Sequence, residues 1–137
     1  LFPYTTLFRS IAMAEDSNDI VVAEGTDFID DYAFYQNKSL TSVSIPDSVR
    51  KIGMYAFYGC ESIKSVIIPE GITEIREKTF ARCKALESVA FPKSLKRIEN
   101  AAFFGCKSLK SLVLPEGLEI IGDNAFSECS ALLSGRE

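Results

Sequence analysis

Cys60, Cys83, Cys106 and Cys129 recur every 23 residues, and thiols at a fixed spacing could hold a metal, build a disulfide framework or do redox work. Zinc ligands come as pairs two to four residues apart. No such pair occurs here, and the chain has no histidine. That lack also removes the ordinary Ser-His and Cys-His nucleophile pairs. No glycine-rich phosphate loop is present, and the adjacent carboxylates Asp30 and Asp31 stand at positions that vary along the chain, as solvated charge does. No catalytic residue, metal ligand or cofactor is assigned, and a thiol-dependent enzyme is the remote alternative. Four cysteines in one column are read as buried free thiols, each a small hydrophobe. Equivalent side chains in a stack point the same way, whereas a disulfide needs its Cβ atoms about 3.8 Å apart across a crossed dihedral.

Residues suited to binding recur at the same interval. All the tyrosines after the first ten residues are Tyr32, Tyr35, Tyr55 and Tyr58. Their three-residue spacing sets each pair on one side of a helical turn, and the 23-residue offset brings the pairs together if successive units stack. Tyrosine is enriched at binding hot spots, so these four form a candidate protein-contact patch; the alternative is that they pack over the turn edge and shelter an imperfect first unit. Ser42, Ser65, Ser88 and Ser111 form a second row. Beside it, Ile67 and Val113 stand out in a mildly apolar stripe. These six are candidate sheet-face contacts, although scattered surface apolar residues are ordinary.

Positioning these rows requires a repeat. Units of 23 residues begin at Ser17, Leu40, Ile63, Leu86 and Leu109, a period that signals a solenoid. In the unit from Leu86 to Ser108, Leu86, Val89 and Phe91 are apolar with Ser88 and Ala90 among them, the alternation of a short half-buried strand. Pro92 ends it, and Pro46, Pro69 and Pro115 recur at the same place; proline lacks the N–H that a ladder needs. Leu95 and Ile98 turn inward after a bend, and a one-turn helix or 3₁₀ piece carrying Phe103 and Cys106 returns the chain. The expected fold is an α/β repeat, a solenoid with a parallel sheet of short strands, short helical turns and a second narrow strand set near Ile52, Ile75, Ile98 and Ile121.

The pattern L-x-x-V-x-[IF]-P-x-x-[VIL]-x-x-I-x-x-x-[AT]-F-x-x-C-x-[SA] resembles the BspA-like leucine-rich repeats, closely over 40–131 and more loosely over 17–39, where Ser17, Ala23, Thr26 and Asn37 depart from it. The resemblance implies a cell-surface or secreted module that recognises or adheres to host or matrix proteins. A structural spacer within a longer array, with no binding site of its own, is the alternative.

Residues 1–10 read in full as the translation of a common sequencing-library adapter and are set aside as a non-native tail. Residues 11–16 fit the remnant of a preceding unit, with Ile11 and Ala14 at its Phe and Cys positions. The repeat domain is taken as 17–137, in units 17–39, 40–62, 63–85, 86–108 and 109–131 and a partial unit 132–137. Opening on Leu rather than Met, the chain reads as a fragment. Its last full unit leaves Leu114, Leu118, Ile121 and Phe126 without a following coil, which invites end-to-end self-association.

Net charge is -4, with 25% charged residues and 47% hydrophobic. Signs alternate between units (Lys51, Glu74, Arg97; Lys38, Glu61, Lys84; Lys64, Glu87, Lys110) and leave no basic stripe, so nucleic acid is not an expected partner. No apolar run approaches the roughly 18 residues of a membrane span.

Half of the ten phenylalanines fall in one column, Phe34, Phe57, Phe80, Phe103 and Phe126. Truncating the ring at Phe103 with Ala should cost about 3 to 5 kcal/mol in a denaturant melt; a loss below about 1 kcal/mol would show that the column does not exist.

Overall fold

The computed structural model describes residues 18–134; the adapter-like tail, the 11–16 remnant, Ser17 and Gly135 lie outside them. Each turn of chain is a coil of a parallel β-solenoid. Three-residue strands β1 (Asp19–Val21), β3 (Ser42–Ser44), β5 (Ser65–Ile67) and β7 (Ser88–Ala90) make the wide face. Two-residue strands β2 (Phe28–Ile29), β4 (Lys51–Ile52), β6 (Glu74–Ile75), β8 (Arg97–Ile98) and β9 (Ile120–Ile121) make a narrow one. Every pairing is parallel and offset by one repeat, as in Val66 with Val89 and Ile75 with Ile98. This is the expected register, and the second strand set lies where the isoleucines placed it.

Between the faces the inward side chains stack on their equivalents. Consecutive rings from Phe34 to Phe126 lie 5.2 to 5.4 Å apart and within 16° of parallel. Phe57, Phe80 and Phe103 have no exposed surface, and neither do Ile52, Ile75 and Ile98. Coil one joins the core through Val22, Ile29 and a buried Thr26.

The expected helical piece is not there. Phe34 and its equivalents sit instead in chained tight turns, and the only described helix is α1, Ser130–Ser134. The reason is visible in the hydrogen bonds. In coil one Ala33, Tyr35 and Asn37 each donate to the carbonyl three residues back, while the intervening Tyr32, Phe34 and Gln36 donate to Met54, Ala56 and Tyr58 of the next coil. A helix would claim every N–H for itself; here alternate ones are spent between coils. Left-handed residues bracket each turn, at Tyr32 (φ 62°) and Gln36 (φ 56°) and at the equivalents in later coils, which a right-handed helix excludes.

Coil five also departs from expectation. Lys110 donates to Glu87, but Ser111, Leu112 and Val113 form no strand.

Two close approaches link neighbouring coils. Asp31 Oδ1 accepts from Met54 N, and Asn100 Oδ1 from Asp123 N, both at 2.9 Å. The residues just before those acceptors' partners are Gly53 and Gly122, where a Cβ would collide with the backbone of residues 30–31 and 99–100 respectively. Each Asx therefore requires a glycine 22 positions on.

The ladder is not uniform along the stack. Among the described residues no backbone hydrogen bond joins coils two and three on either sheet face, although turn-side bonds persist, as in Phe57 N to Thr79 O at 2.9 Å. Thr79 stands beside this seam, where other coils have Ala33, Ala56, Ala102 and Ala125. Its hydroxyl lies within hydrogen-bonding distance of Gly53 O and Arg76 O, across the junction. The amides of Lys64, Thr73 and Arg76 should therefore exchange with deuterium faster than their equivalents Glu87, Lys96 and Glu99. Equal protection in residue-resolved exchange would mean that the seam is closed.

Candidate protein-contact surface

The tyrosines meet as the spacing expects, but on the tight turns. Tyr32 and Tyr35 lie 5.3 Å apart edge to face, Tyr55 and Tyr58 5.4 Å apart and tilted. Between coils Tyr32 stacks on Tyr55 at 4.8 Å and Tyr35 on Tyr58 at 5.3 Å. The result is a two-by-two block in which Tyr32 is 51% and Tyr35 44% exposed, with Tyr55 and Tyr58 half-buried. Stacking along the solenoid axis covers the face of Tyr32 that meets Tyr55 and the face of Tyr35 that meets Tyr58, and aromatic edges carry the positive end of the ring quadrupole.

Sequence reasoning passed over the cations that extend this block. Lys78 Nζ lies 5.5 Å from the Tyr55 ring centre, and the Tyr55 hydroxyl holds that ammonium above the usual lysine range. Arg82 lies 5.2 Å from the ring of Phe104. Tyr32, Tyr55, Lys78 and Arg82 are all left-handed in φ, so the same reversal that ends each turn throws their side chains outward.

The sheet-face candidates fare differently. Ser42, Ser65 and Ser88 are exposed on β3, β5 and β7, and Ser42 donates to Asp19 Oδ1 at 2.8 Å. Ile67 is 71% exposed on β5. Ser111 and Val113 are exposed too, but lie outside any strand. Ser65 pairs with Ser88, Ser42 sits on the adjacent coil across the seam without a strand pairing to Ser65, and Ser111 stands outside any strand; the six are candidates for a contact face.

Charges on neighbouring coils are locally matched. Lys84 meets Glu61 at 3.6 Å and Lys110 meets Glu87 at 3.9 Å, the alternation expected between units. In the third row the pairs run within a coil instead, Arg76 to Glu74 and Arg97 to Glu99, with Arg76 also reaching Asp31, all at 3.8 Å. Burial and the neighbouring Glu74 carboxylate raise the Glu99 carboxyl above its usual range. A cleft of about 200 Å³ opens nearby, lined by Phe28, Asp30, Asp31, Lys51, Gly53 and Arg76; the missing side chain at Gly53 makes its floor.

The cysteines are buried and free. Each Sγ donates to the carbonyl of the phenylalanine 26 residues earlier, as Cys60 to Phe34 and Cys106 to Phe80 at 3.1 Å. Burial pushes the Cys60 thiol from 9.0 up to about 12 and holds Cys83 well above the usual thiol range. Hydrogen bonding between the last two thiols raises Cys106 and lowers Cys129.

Residues 19–134 match the model for "BspA type Leucine rich repeat region" in six copies. Among solved structures, the T. pallidum leucine-rich repeat protein is 33% identical with a TM-score of 0.78, covering 92% of this chain and 67% of its own. A leucine-rich cell surface protein from Faecalibacterium prausnitzii is 40% identical with a TM-score of 0.74, over 78% of this chain and 28% of its own. A leucine-rich repeat protein from Bacteroides ovatus is 29% identical with a TM-score of 0.63, over 83% of this chain and 35% of its own. No curated protein matches.

For the thiol column the expected outcome at pH 8 is no rapid labelling of Cys60, Cys83 or Cys106 in the native state and full labelling in denaturant, with Cys129 the first to react as pH rises. The sign of the linkage follows from the raised Cys60 value. The unfolded thiol ionises near 9 and the folded one near 12, so its contribution is complete below pH 9 and is lost as pH climbs toward 12. Rapid native labelling of Cys60 or Cys83 would contradict the burial.

Proposed function

The chain belongs to the BspA-type leucine-rich repeat family, and from that membership we propose that it is a non-catalytic protein-recognition module working at a cell surface, with the tyrosine block as its contact surface. The observation that carries this reading is the exposure of Tyr32 and Tyr35 while all four rings are held in mutual contact at 4.8 to 5.4 Å. Stacked aromatics fixed by their neighbours lose little freedom on binding, the property that makes tyrosine effective at interfaces. The F. prausnitzii relative, described as a cell surface protein, supports the location. Host or matrix proteins are the partner class that the family resemblance implies. No helix among the described residues is long and apolar enough to cross a membrane.

A second reading, end-to-end self-association, draws on the exposed rung at Ile120 (44%) and Ile121 (49%) together with Leu114 (39%). A parallel rung of that kind accepts another strand in the same register. The spacer reading shares this geometry and dispenses with the tyrosines.

Capture against a panel of purified matrix and cell-surface proteins separates the readings. The expected result is a partner bound by the native chain, with Tyr32→Ala together with Tyr55→Ala weakening it by about 2 kcal/mol or more and leaving the circular dichroism and melt cooperativity intact. Collapse of the fold in that variant would make the rings structural. Capture of nothing by the native chain would favour the spacer.

A further inference from the structure

Coil three differs from its neighbours on the turn edge, and the difference is cationic. At the second left-handed position of each turn, Gly59 and Gly105 occupy the coils on either side, where glycine adopts φ of 72° and 74° at no steric cost. Coil three places Arg82 there at φ 59°, a conformation that a long side chain adopts against its intrinsic preference. At the first left-handed position it places Lys78. The two cations are flanked by aromatic rings, Lys78 by Tyr55 and Arg82 by Phe104. Neither makes an ion pair among the described residues, whereas Lys84 and Lys110 nearby are taken up by Glu61 and Glu87.

From this arrangement we infer that Lys78 and Arg82 carry the tyrosine surface onward as an aromatic-flanked cationic edge that takes an extended, acidic peptide segment of a partner protein. The inference rests on the reading of the tyrosine block as a contact surface and names the chemistry of what it contacts. Charge complementarity supports it: the chain as a whole carries -4, yet Lys78 and Arg82 stand here without an ion pair among the described residues, so an acidic segment is drawn to this edge. The tyrosines point the same way, because phenol hydroxyls donate hydrogen bonds and ring edges are positive. An extended chain presents carbonyls and carboxylates to such groups, and proline keeps it extended without a folding cost.

The repeat supplies substitutions that the fold already accepts. Arg82→Gly copies Gly59 and Gly105, and Lys78→Asn copies Asn124, which stands at φ 60° in coil five. Fluorescence anisotropy on the full chain with a labelled peptide of alternating Glu and Pro, and with Lys-Pro and Ser-Pro versions, provides the test. The expected result is binding of the Glu-Pro peptide alone, weakening as salt shortens the screening length to about 8 Å, and lost by at least about tenfold in Lys78→Asn with Arg82→Gly at an unchanged or raised melting temperature. No binding of the Glu-Pro peptide, binding that survives the double variant, or tighter binding of a sulfated oligosaccharide overturns the inference and leaves the tyrosine reading standing. Tyr32→Ala with Tyr55→Ala, tested on the same peptide, isolates the other failure: binding that ignores it removes the tyrosine block from the contact surface while the acidic partner is retained.

Discussion

Every other feature depends on a single constraint: side chains of the same kind must lie one above another at the spacing of a β-rung. A coil alone has no interior, since its two strands are two and three residues long and enclose one layer of side chains. Stacking creates the interior. Once a phenylalanine from one coil has a parallel ring about 5 Å away on its neighbour, the backbone between them is brought to the distance at which inter-coil hydrogen bonds form. Apolar burial and the ladder thus enforce the same register. A shift by one residue would turn the inward set to solvent, so the periodicity of the sequence and the geometry of the stack are one property.

How much of this was legible follows from what repeats. The proline clip, the inward valines and isoleucines, the phenylalanine column and the narrow strands at Ile52, Ile75 and Ile98 recur at fixed intervals, and periodicity alone places them. The turns were misread because a three-residue spacing between Phe103 and Cys106 suits a helix and a chain of tight turns equally. What separates the two is where alternate N–H groups go, and that depends on a neighbouring coil rather than on local residue type. Coil five and the seam are departures from the repeat, so pattern alone predicts them least well. Thr79 among four alanines was the available sign of the seam.

The candidate surface divides the same way. The tyrosines were visible because two residue positions repeat the same type in adjacent units, and stacking does the rest. Lys78 and Arg82 belong to no such repetition. Their placement emerges only when each is seen over the ring of an adjacent coil, Lys78 back onto Tyr55 and Arg82 forward onto Phe104. A hint was present in the alternation of glycine and arginine at one turn position, which has meaning once that position is known to be left-handed. The serine row is legible as a repeated residue type, whereas the breaks in the ladder beneath it, between β3 and β5 and after β7, are not.

The dependence of Gly53 on Asp31, and of Gly122 on Asn100, sets the phase at which such an array can be cut and rejoined. Cutting at the unit boundary would deliver an Asx without its glycine, or set a bulky residue against a backbone that has no space for it. A 23-residue segment opened at the Asx, such as 31–53 or 100–122, carries both partners. A designer extending the array by copying coils keeps the pair together by cutting inside the turn.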